Sequence, residues 1–429
     1  MKTFLLLAGR STRFWPLTDK TLFPVCGKTL LEHQVERLTR AGCTDIILVG
    51  GAHNLEGAKS IYPDIPTVEQ ENLNLGMRGA VLSILKSYPS DPLMIVSGND
   101  VVDPAIYTAL LNAQGDGAIL AYEVEKYFPG GYLTVDGRRV TGIVEKPGEG
   151  NEPSNLINLV GHVHRDPVAL LNALQNVDES TDDGYEQALA KLFASHTYNA
   201  VSYTGPWQAV KYPWHLLDLS DMILSEITEQ SIHSGADIHS SADIIGNVII
   251  EDGARVLHNA VIRGPAYIGR NVIVANNALV RGSSVGDNCV VGFSTEVKSS
   301  VLHSDVWTHM NYLGESVIGN NVSFGAGTVT GNLRLDEAEI LSTVKDEKIN
   351  TGKTKFGTVV GDNCRIGIHV SINPGIKIGS GTFISSKALV EKDVENNMFA
   401  VMKNGLLELK KNTAKLSTSD DREKFKKKV

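Results

Sequence analysis

The chain has 429 residues, 42% apolar and 21% charged, too long for one ordinary core, so two domains are expected. A formal net charge of −9 excludes the broad basic surface that nucleic acid as main partner would require, and no apolar run approaches the ~20 residues of a membrane span. Four scattered cysteines without a CxxC pair read as reduced thiols, and the single Lys before a strand-like run is no signal peptide, so a soluble, cytoplasmic protein is expected.

The first ~225 residues alternate short apolar runs with amphipathic ones, the pattern of an α/β layered domain. TFLLLAG, TDIILVGG, PLMIVSGND and GAILAYEV are the buried-strand candidates. LLEHQVERLTRAG reads as a helix that ends on Gly42, where a C-cap belongs. Apolar runs without alternation suit strands covered on both faces of a mainly parallel sheet, and ligands of such sheets bind beyond the carboxyl ends of the strands. LLLAGRSTRFWPLTDK (5–20) and IVSGND (95–100) lie at such ends. Backbone N–H groups of a turn just past a strand can cradle phosphate oxygens, and Arg13 and Lys20 would add positive charge. The loop is poor in glycine, so a charged strand exit explains it equally well when it is taken alone.

YPWHLLDLSDMILSEI (212–227) reads as a joining helix. After about residue 235 the period changes. Ile244, Ile250, Val256, Ile262, Ile268, Val274 and Val280 recur every six residues, and a second train runs through Ile366, Ile372, Ile378, Ile384 and Val390. A hexapeptide period with small and polar residues between the aliphatics predicts a left-handed parallel β-helix, three short strands per coil with the aliphatics turned inward. LRLDEAEILSTVKDEKINTGKTKF (333–356) breaks the repeat and reads as an extruded loop. The expected division is 1–228 for the α/β domain with its joining helix, 229–405 for the β-helix, and 406–429 for a charged, solvated tail.

LLAGRSTRFWPLTDKTLFPVCGKTLLEH resembles the signature of the sugar-1-phosphate nucleotidyltransferases, and the Arg-to-Lys interval is similar to that of the bifunctional N-acetylglucosamine-1-phosphate uridyltransferases. The resemblance implies a Rossmann-like nucleotidyltransferase domain in which Ala8, Gly9, Thr12 and Arg13 form the nucleotide loop and Lys20 grips phosphate. Ser11 replaces a family glycine and Asp19 a proline. Gln70 and Gly76 match the base-reading segment, with Met77 where Thr is usual. Asp100 matches the aspartate that holds Mg²⁺. Gly131 and the triplet Glu145, Lys146 and Pro147 match sugar-binding segments, and so does Asn158, although NLVG is one residue longer than the usual pattern. The second metal ligand of the family falls at Ala209, which cannot bind a cation. Asp100 alone with substrate phosphate and water, added help from Asp103, or the charge of Lys211 in place of a cation are the alternatives the sequence offers.

VWTHMNYLGESVIGNNVSFGAGTVTGNLRLD (306–336) resembles the acetyltransferase half of the same bifunctional family. The resemblance places His309 as general base, the residue type that titrates nearest neutral pH. It places Tyr312 and Asn332 on the amino sugar, with Asn332 also steadying His309, and a backbone N–H near Ala326 at the thioester oxyanion. Arg281 and Lys298 fall near the positions that bind the sugar's phosphate, while a family lysine after Asn332 falls at Ala338. The implied substrates are UTP or another NTP, a sugar-1-phosphate and acetyl-CoA, and the implied assembly is a homotrimer. Two other readings stay open at this stage: an acetyltransferase whose front domain binds without turnover, and a non-catalytic scaffold.

Overall fold

A computed structural model describes residues 1–7, 9–178, 183–415, 418, 421 and 422. The chain divides into two units. The first comprises Met1–Arg10 and Leu30–Ala209, the second Ser11–Thr29 and Val210–Val429.

The first unit is built on a nine-stranded sheet. Its strand order is Thr67–Glu69, Ile46–Gly50, Lys2–Leu6, Leu93–Ser97, Leu156–His164, Gly117–Glu123, Tyr198–Tyr203, Arg139–Glu145 and Gly131–Asp136. The four expected strands are all present. Lys2–Leu6 lies parallel between Ile46–Gly50 and Leu93–Ser97, with Phe4 and Leu5 fully buried, as unalternating apolar strands require. The sheet is mixed rather than mainly parallel. Leu156–His164 runs antiparallel to both of its principal neighbours, and Gly131–Asp136 pairs antiparallel with Arg139–Glu145. The helix Leu30–Arg40 ends as its glycine predicts: Gly42 has φ +87°.

The second unit is the hexapeptide coil, a left-handed parallel β-helix. Val256 pairs with Val274 and Ile262 with Val280, eighteen residues on, so three hexapeptides make one coil. These side chains are wholly buried and stack along the axis, each contributing about 1.5–3 kcal/mol. Where the six-residue period stops, the coil does not. Val280 pairs with Val297 and Val297 with Leu313, coils of seventeen and sixteen residues. The corners tighten by a residue, which erases the sequence period and leaves the inward stack unbroken. Ile318 then pairs with Val360 and Thr330 with Ile372, so one coil is longer by the whole extruded stretch 333–356. That stretch carries its own hairpin, Leu341–Val344 against Glu347–Asn350.

Two expected boundaries move. The break after residue 228 lies instead at Ala209/Val210, and the joining helix, His215–Ser225, groups with the β-helix. So does Ser11–Thr29. Trp15 Nε1 donates to Asn396 Oδ1 at 3.0 Å and its ring lies under the Lys377 ammonium at 4.7 Å. Ser380 Oγ donates to Pro16 O (3.3 Å), Cys26 N donates to Ser284 Oγ (2.8 Å), and the Phe23 and His303 rings meet edge to face. The tail expected from residue 406 starts later. Leu406–Lys411 pairs antiparallel with Met398–Lys403, because Asn404-Gly405 takes the positive φ that a two-residue turn needs. Arg422 is buried, with its guanidinium 4.3 Å from the Trp307 ring and Nη1 donating to Asn321 Oδ1.

Candidate functional sites

In the first unit, the carboxyl ends of the strands open onto a cavity of about 250 Å³ lined by Gly9, Arg10, Gln70, Gly76, Met77, Ser97, Asn99 and Val160. Three expected nucleotide residues, Gly9, Gln70 and Gly76, are therefore brought together. Gln70 is 2% exposed, and its Nε2 donates to Asn72 O (3.1 Å) and Gly76 O (2.8 Å). Both amide protons are thereby used, and the buried Oε1, which can only accept, has no partner among the described residues. A buried acceptor without a donor costs about 1–3 kcal/mol, a cost that an arriving N–H removes. Gly76 takes φ +53° at the head of the helix Gly76–Ser87. Gly79 must be glycine, because a Cβ there would stand 2.7 Å from Gln70 Nε2.

Ala8 lies outside the described residues. Gly9, at φ +143°, presents its carbonyl to His53 Nε2 at 3.1 Å. Arg10 was missed by the sequence reasoning although it stands inside AGRSTR; its Nη2 donates to Asn74 Oδ1 at 2.7 Å. Asn99 was missed as well, and its buried Oδ1 is also without a partner. Thr12, Arg13 and Lys20 are carried by Ser11–Thr29 in the second unit. Thr12 and Arg13 are exposed, and the Arg13 guanidinium lies 5.8 Å from the Tyr212 ring. Asp19, the family's proline position, accepts from Thr21 N and Oγ1 at 2.8 and 2.7 Å and closes the turn before Thr21.

Asp100 opens the strand Asp100–Val102, which pairs antiparallel with Trp207–Ala209. The register sets Ala209 directly opposite Asp100, so the residue that replaces the family's second ligand faces the first. Asp100 Oδ1 accepts from Trp207 Nε1 at 3.0 Å, while Oδ2 makes no bond among the described residues. No group of three or more His, Cys, Asp or Glu side chains is placed to hold a metal among the described residues. Asp103 is exposed, and its Oδ1 accepts from Ala105 N at 2.8 Å ahead of the helix Ala105–Asn112. The donor set fits Mg²⁺ held by one carboxylate oxygen together with substrate phosphates, and does not fit a protein cage.

Gly131, Glu145 and Asn158 are brought together on adjacent strands. Gly131 pairs with Glu145, and Tyr132 with Ile157, the residue before Asn158. A Cβ on Gly131 would stand 3.0 Å from Glu145 Oε2. Lys146 takes φ 45° and pairs with Glu145 at 2.9 Å. The extra residue of NLVG is absorbed by a bulge between Leu159 and His162.

In the second unit, Arg281 pairs with Lys298 and Lys298 with Gly314 along one face of the coil, while Glu296 pairs with Tyr312 beside them. Lys298 forms an ion pair with Glu315, and Asn332 Nδ2 donates both to Tyr312 Oη (3.0 Å) and to Glu315 Oε2. Arg281 donates through Nε and Nη2 to one oxygen of Glu296, at 2.9 and 2.6 Å. The structure thus gathers all four expected sugar-phosphate residues, and adds Glu296 and Glu315, which the sequence reasoning passed over. Burial, aided by the Glu315 carboxylate, raises the Tyr312 hydroxyl above its ordinary pKa. Gly314 makes room for the pair, since a Cβ there would stand 2.6 Å from Tyr312 Oη. His309 is exposed at the corner preceding Tyr312, and its backbone N–H donates to Asn311 Oδ1. Asn332 does not steady His309 as expected, because its amide is committed to Tyr312 and Glu315. Ala326 accepts from His369 N at 2.9 Å, and its own N–H has no acceptor among the described residues.

Fold and sites together define a nucleotidyltransferase domain joined to a hexapeptide β-helix transferase. Residues 3–219 match the MobA-like NTP transferase domain, and 247–282 and 357–392 match the bacterial transferase hexapeptide, the stretches where the coil keeps its eighteen-residue period. A protein of Methanococcus maripaludis named bifunctional protein GlmU is 30% identical over 420 residues, 96% of this chain and 100% of that one. The Methanococcus vannielii protein of the same name is 31% identical over 425 residues, again 96% and 100%. A bifunctional sugar-1-phosphate nucleotidylyltransferase/acetyltransferase of Sulfurisphaera tokodaii is 30% identical, covering 92% of this chain and 98% of its own. The chain belongs to this family of bifunctional nucleotidyltransferase/acetyltransferase enzymes.

Proposed function

We propose that the enzyme acetylates glucosamine-1-phosphate from acetyl-CoA and couples the product to UTP, releasing pyrophosphate and forming UDP-N-acetylglucosamine. The observation that carries the two-site reading is the cavity at the strand ends, with the buried Gln70 Oε1 waiting for an N–H such as the imide of uracil. In the second unit His309 takes the proton of the sugar amine as its nitrogen attacks the thioester carbonyl. The N–H of Ala326 faces the oxyanion, and coenzyme A leaves as the thiol. Arg281 and Lys298 exchange their carboxylate partners for the sugar's phosphate, and Tyr312 and Asn332 orient its ring. In nucleotidyl transfer a phosphate oxygen of the sugar attacks the α-phosphorus in line, and Arg13 and Lys20 offset the charge on the leaving pyrophosphate. Gly9, Thr12 and Gly76 hold the nucleotide by backbone, and Gly131, Glu145, Lys146 and Asn158 hold the sugar. Asp100 would hold Mg²⁺, which supplies charge neutralisation on the phosphates.

The working form in this reading is a cytoplasmic homotrimer with acetyl-CoA lodged between neighbouring coils. Its support is the exposed apolar side chains of the β-helix, among them Phe293, Met310, Ile368 and Leu389, each about half exposed. No helix among the described residues is long and apolar enough to cross a membrane.

Ala209 opposite Asp100 favours a second reading, in which the first unit binds sugar nucleotide without turnover and only acetyl transfer remains. One experiment decides. The protein is incubated with glucosamine-1-phosphate, acetyl-CoA, UTP and Mg²⁺, and free thiol and pyrophosphate are followed separately. Both signals are expected. Thiol without pyrophosphate, across a panel of nucleotides, establishes the second reading. His309→Ala should lower thiol release ~10²–10⁴-fold while pyrophosphate release from supplied N-acetylglucosamine-1-phosphate is unchanged.

A further inference from the structure

Behind Asn158, four side chains carry a continuous line of hydrogen bonds into the core of the first unit. His162 Nε2 lies 2.7 Å from Asn158 Oδ1, and His162 Nδ1 lies 2.8 Å from the Tyr185 hydroxyl. That hydroxyl is 3.0 Å from His164 Nε2, and His164 Nδ1 is 2.8 Å from the Tyr198 hydroxyl. Both imidazoles are wholly buried, and the tyrosines are 1% and 2% exposed. The His162 and Tyr185 rings stack with centroids 5.6 Å apart.

Burial drives both imidazoles to the neutral form, His162 with a pKa lowered to about 3 against the opposing pull of the Leu159 carbonyl. A neutral imidazole has one N–H and one lone pair, and a hydroxyl has one proton. The line therefore has two possible polarities, every donor pointing toward Asn158 or every donor pointing away. Its inner end decides. Pointing away, the Tyr198 oxygen would accept from His164, and its own buried proton would have no acceptor among the described residues. Pointing toward Asn158, every proton in the line is used. Tyr198 Oη donates to His164 Nδ1, His164 Nε2 to Tyr185 Oη, Tyr185 Oη to His162 Nδ1, and His162 Nε2 to Asn158 Oδ1.

We propose that Tyr198, His164, Tyr185 and His162 are positioning residues that lock the Asn158 carboxamide with Oδ1 inward and Nδ2 outward. Asn158 is then a hydrogen-bond donor to an acceptor oxygen of the bound sugar. The donor role rests on the reading of Asn158 as a sugar contact; the relay behind it does not. Asn158 is half-buried, and Nδ2 makes no bond among the described residues, which leaves it available. The bulge at Leu159–His162 is the local device that lets Asn158 and His162 meet four residues apart on one strand.

Two measurements on the full chain test this. Selective ¹⁵N-histidine labelling reads the tautomers directly, and Nε2–H is expected at both His162 and His164. Calorimetry then compares binding of UDP-N-acetylglucosamine and of UTP. Tyr185→Phe breaks the line without touching Asn158, frees His162 to change tautomer, and should weaken UDP-N-acetylglucosamine about fivefold while UTP is unaffected. Asn158→Asp, which removes the donor at a half-buried position, should weaken it at least as much and guards against misfolding of the Tyr185 variant. An Nδ1–H tautomer at His162 overturns the relay. Nε2–H tautomers with unchanged sugar-nucleotide affinity in both variants overturn the reading of Asn158 as a sugar contact.

Discussion

At the scale of single residues, the cluster around Lys298 and Glu315 holds its charges already paired. Lys298 and Glu315 are only 16% and 12% exposed, and each neutralises the other. Removing one partner leaves the second buried and unpaired, a cost of about 3–5 kcal/mol. Lys298→Ala should therefore lower the unfolding free energy by about 3 kcal/mol, measured by urea denaturation. Lys298→Ala,Glu315→Ala should recover much of that stability while acetyl transfer stays low. A double variant as unstable as the single one would show that the pair does not act as a unit. Gly314→Ala should displace Tyr312 and Asn332, whose atoms stand 2.6 and 2.7 Å from the added methyl. The expected outcome is a raised KM for glucosamine-1-phosphate with little change for acetyl-CoA.

Among elements, Ser11–Thr29 matters most. This segment carries Thr12, Arg13 and Lys20, and its anchors are Asn396, Lys377, Ser380 and Ser284 of the coil. A truncated protein ending at residue 228 lacks every one of those anchors. Its nucleotidyl transfer should fall at least tenfold relative to the full chain, with UTP turnover as the readout. Full activity in the fragment would show that the segment holds its own shape.

That grouping was not legible in the sequence, where Leu5–Lys20 reads as one strand-exit loop of the front domain. Hydrophobic period is a local signal, and contacts such as Trp15 with Asn396 span most of the chain. The coil was legible wherever its corners keep eighteen residues per turn, and became invisible at Val280–Leu313, where shorter turns break the six-residue count. Tyr312 and Asn332 stood out through motif spacing, and Arg281 and Lys298 only by lying near the positions that the resemblance implies; the structure shows the four on neighbouring coils. Glu296 and Glu315 were not legible, because a carboxylate on a coil looks solvated until its partner is placed.

For the whole molecule, the buried imidazoles set an acid limit. Their folded pKa values lie below the unfolded 6.5, so the unfolded chain takes up protons first as pH falls. Their contribution is complete above about pH 6.5 and is lost progressively below it, at about 1.4 kcal/mol per pH unit for each ring. Between pH 7 and pH 5 the two together should cost the first unit about 4 kcal/mol, read from its urea transition at each pH. A flat profile over that interval would mean that the rings take up protons in the fold as readily as in the unfolded chain. In the second unit burial lowers the His303 imidazole pKa in the same direction, so its own transition should move the same way but by less than the pair's.

The uneven coil at 333–356 bears on how such a protein can change. Ile318 still finds Val360, and Thr330 still finds Ile372, across the extruded segment, so the coil keeps its register through the insertion, while Ile340, Ser342 and Phe356 of the segment are buried and Ser342 Oγ donates to Gly375 O. Asn332 stands at its root, while the position where the family has a lysine, here Ala338, stands inside it. Natural variation confined to the exposed part of the segment, around Arg334–Ala338, can therefore rewrite the surface beside Asn332 without shifting a rung of the scaffold.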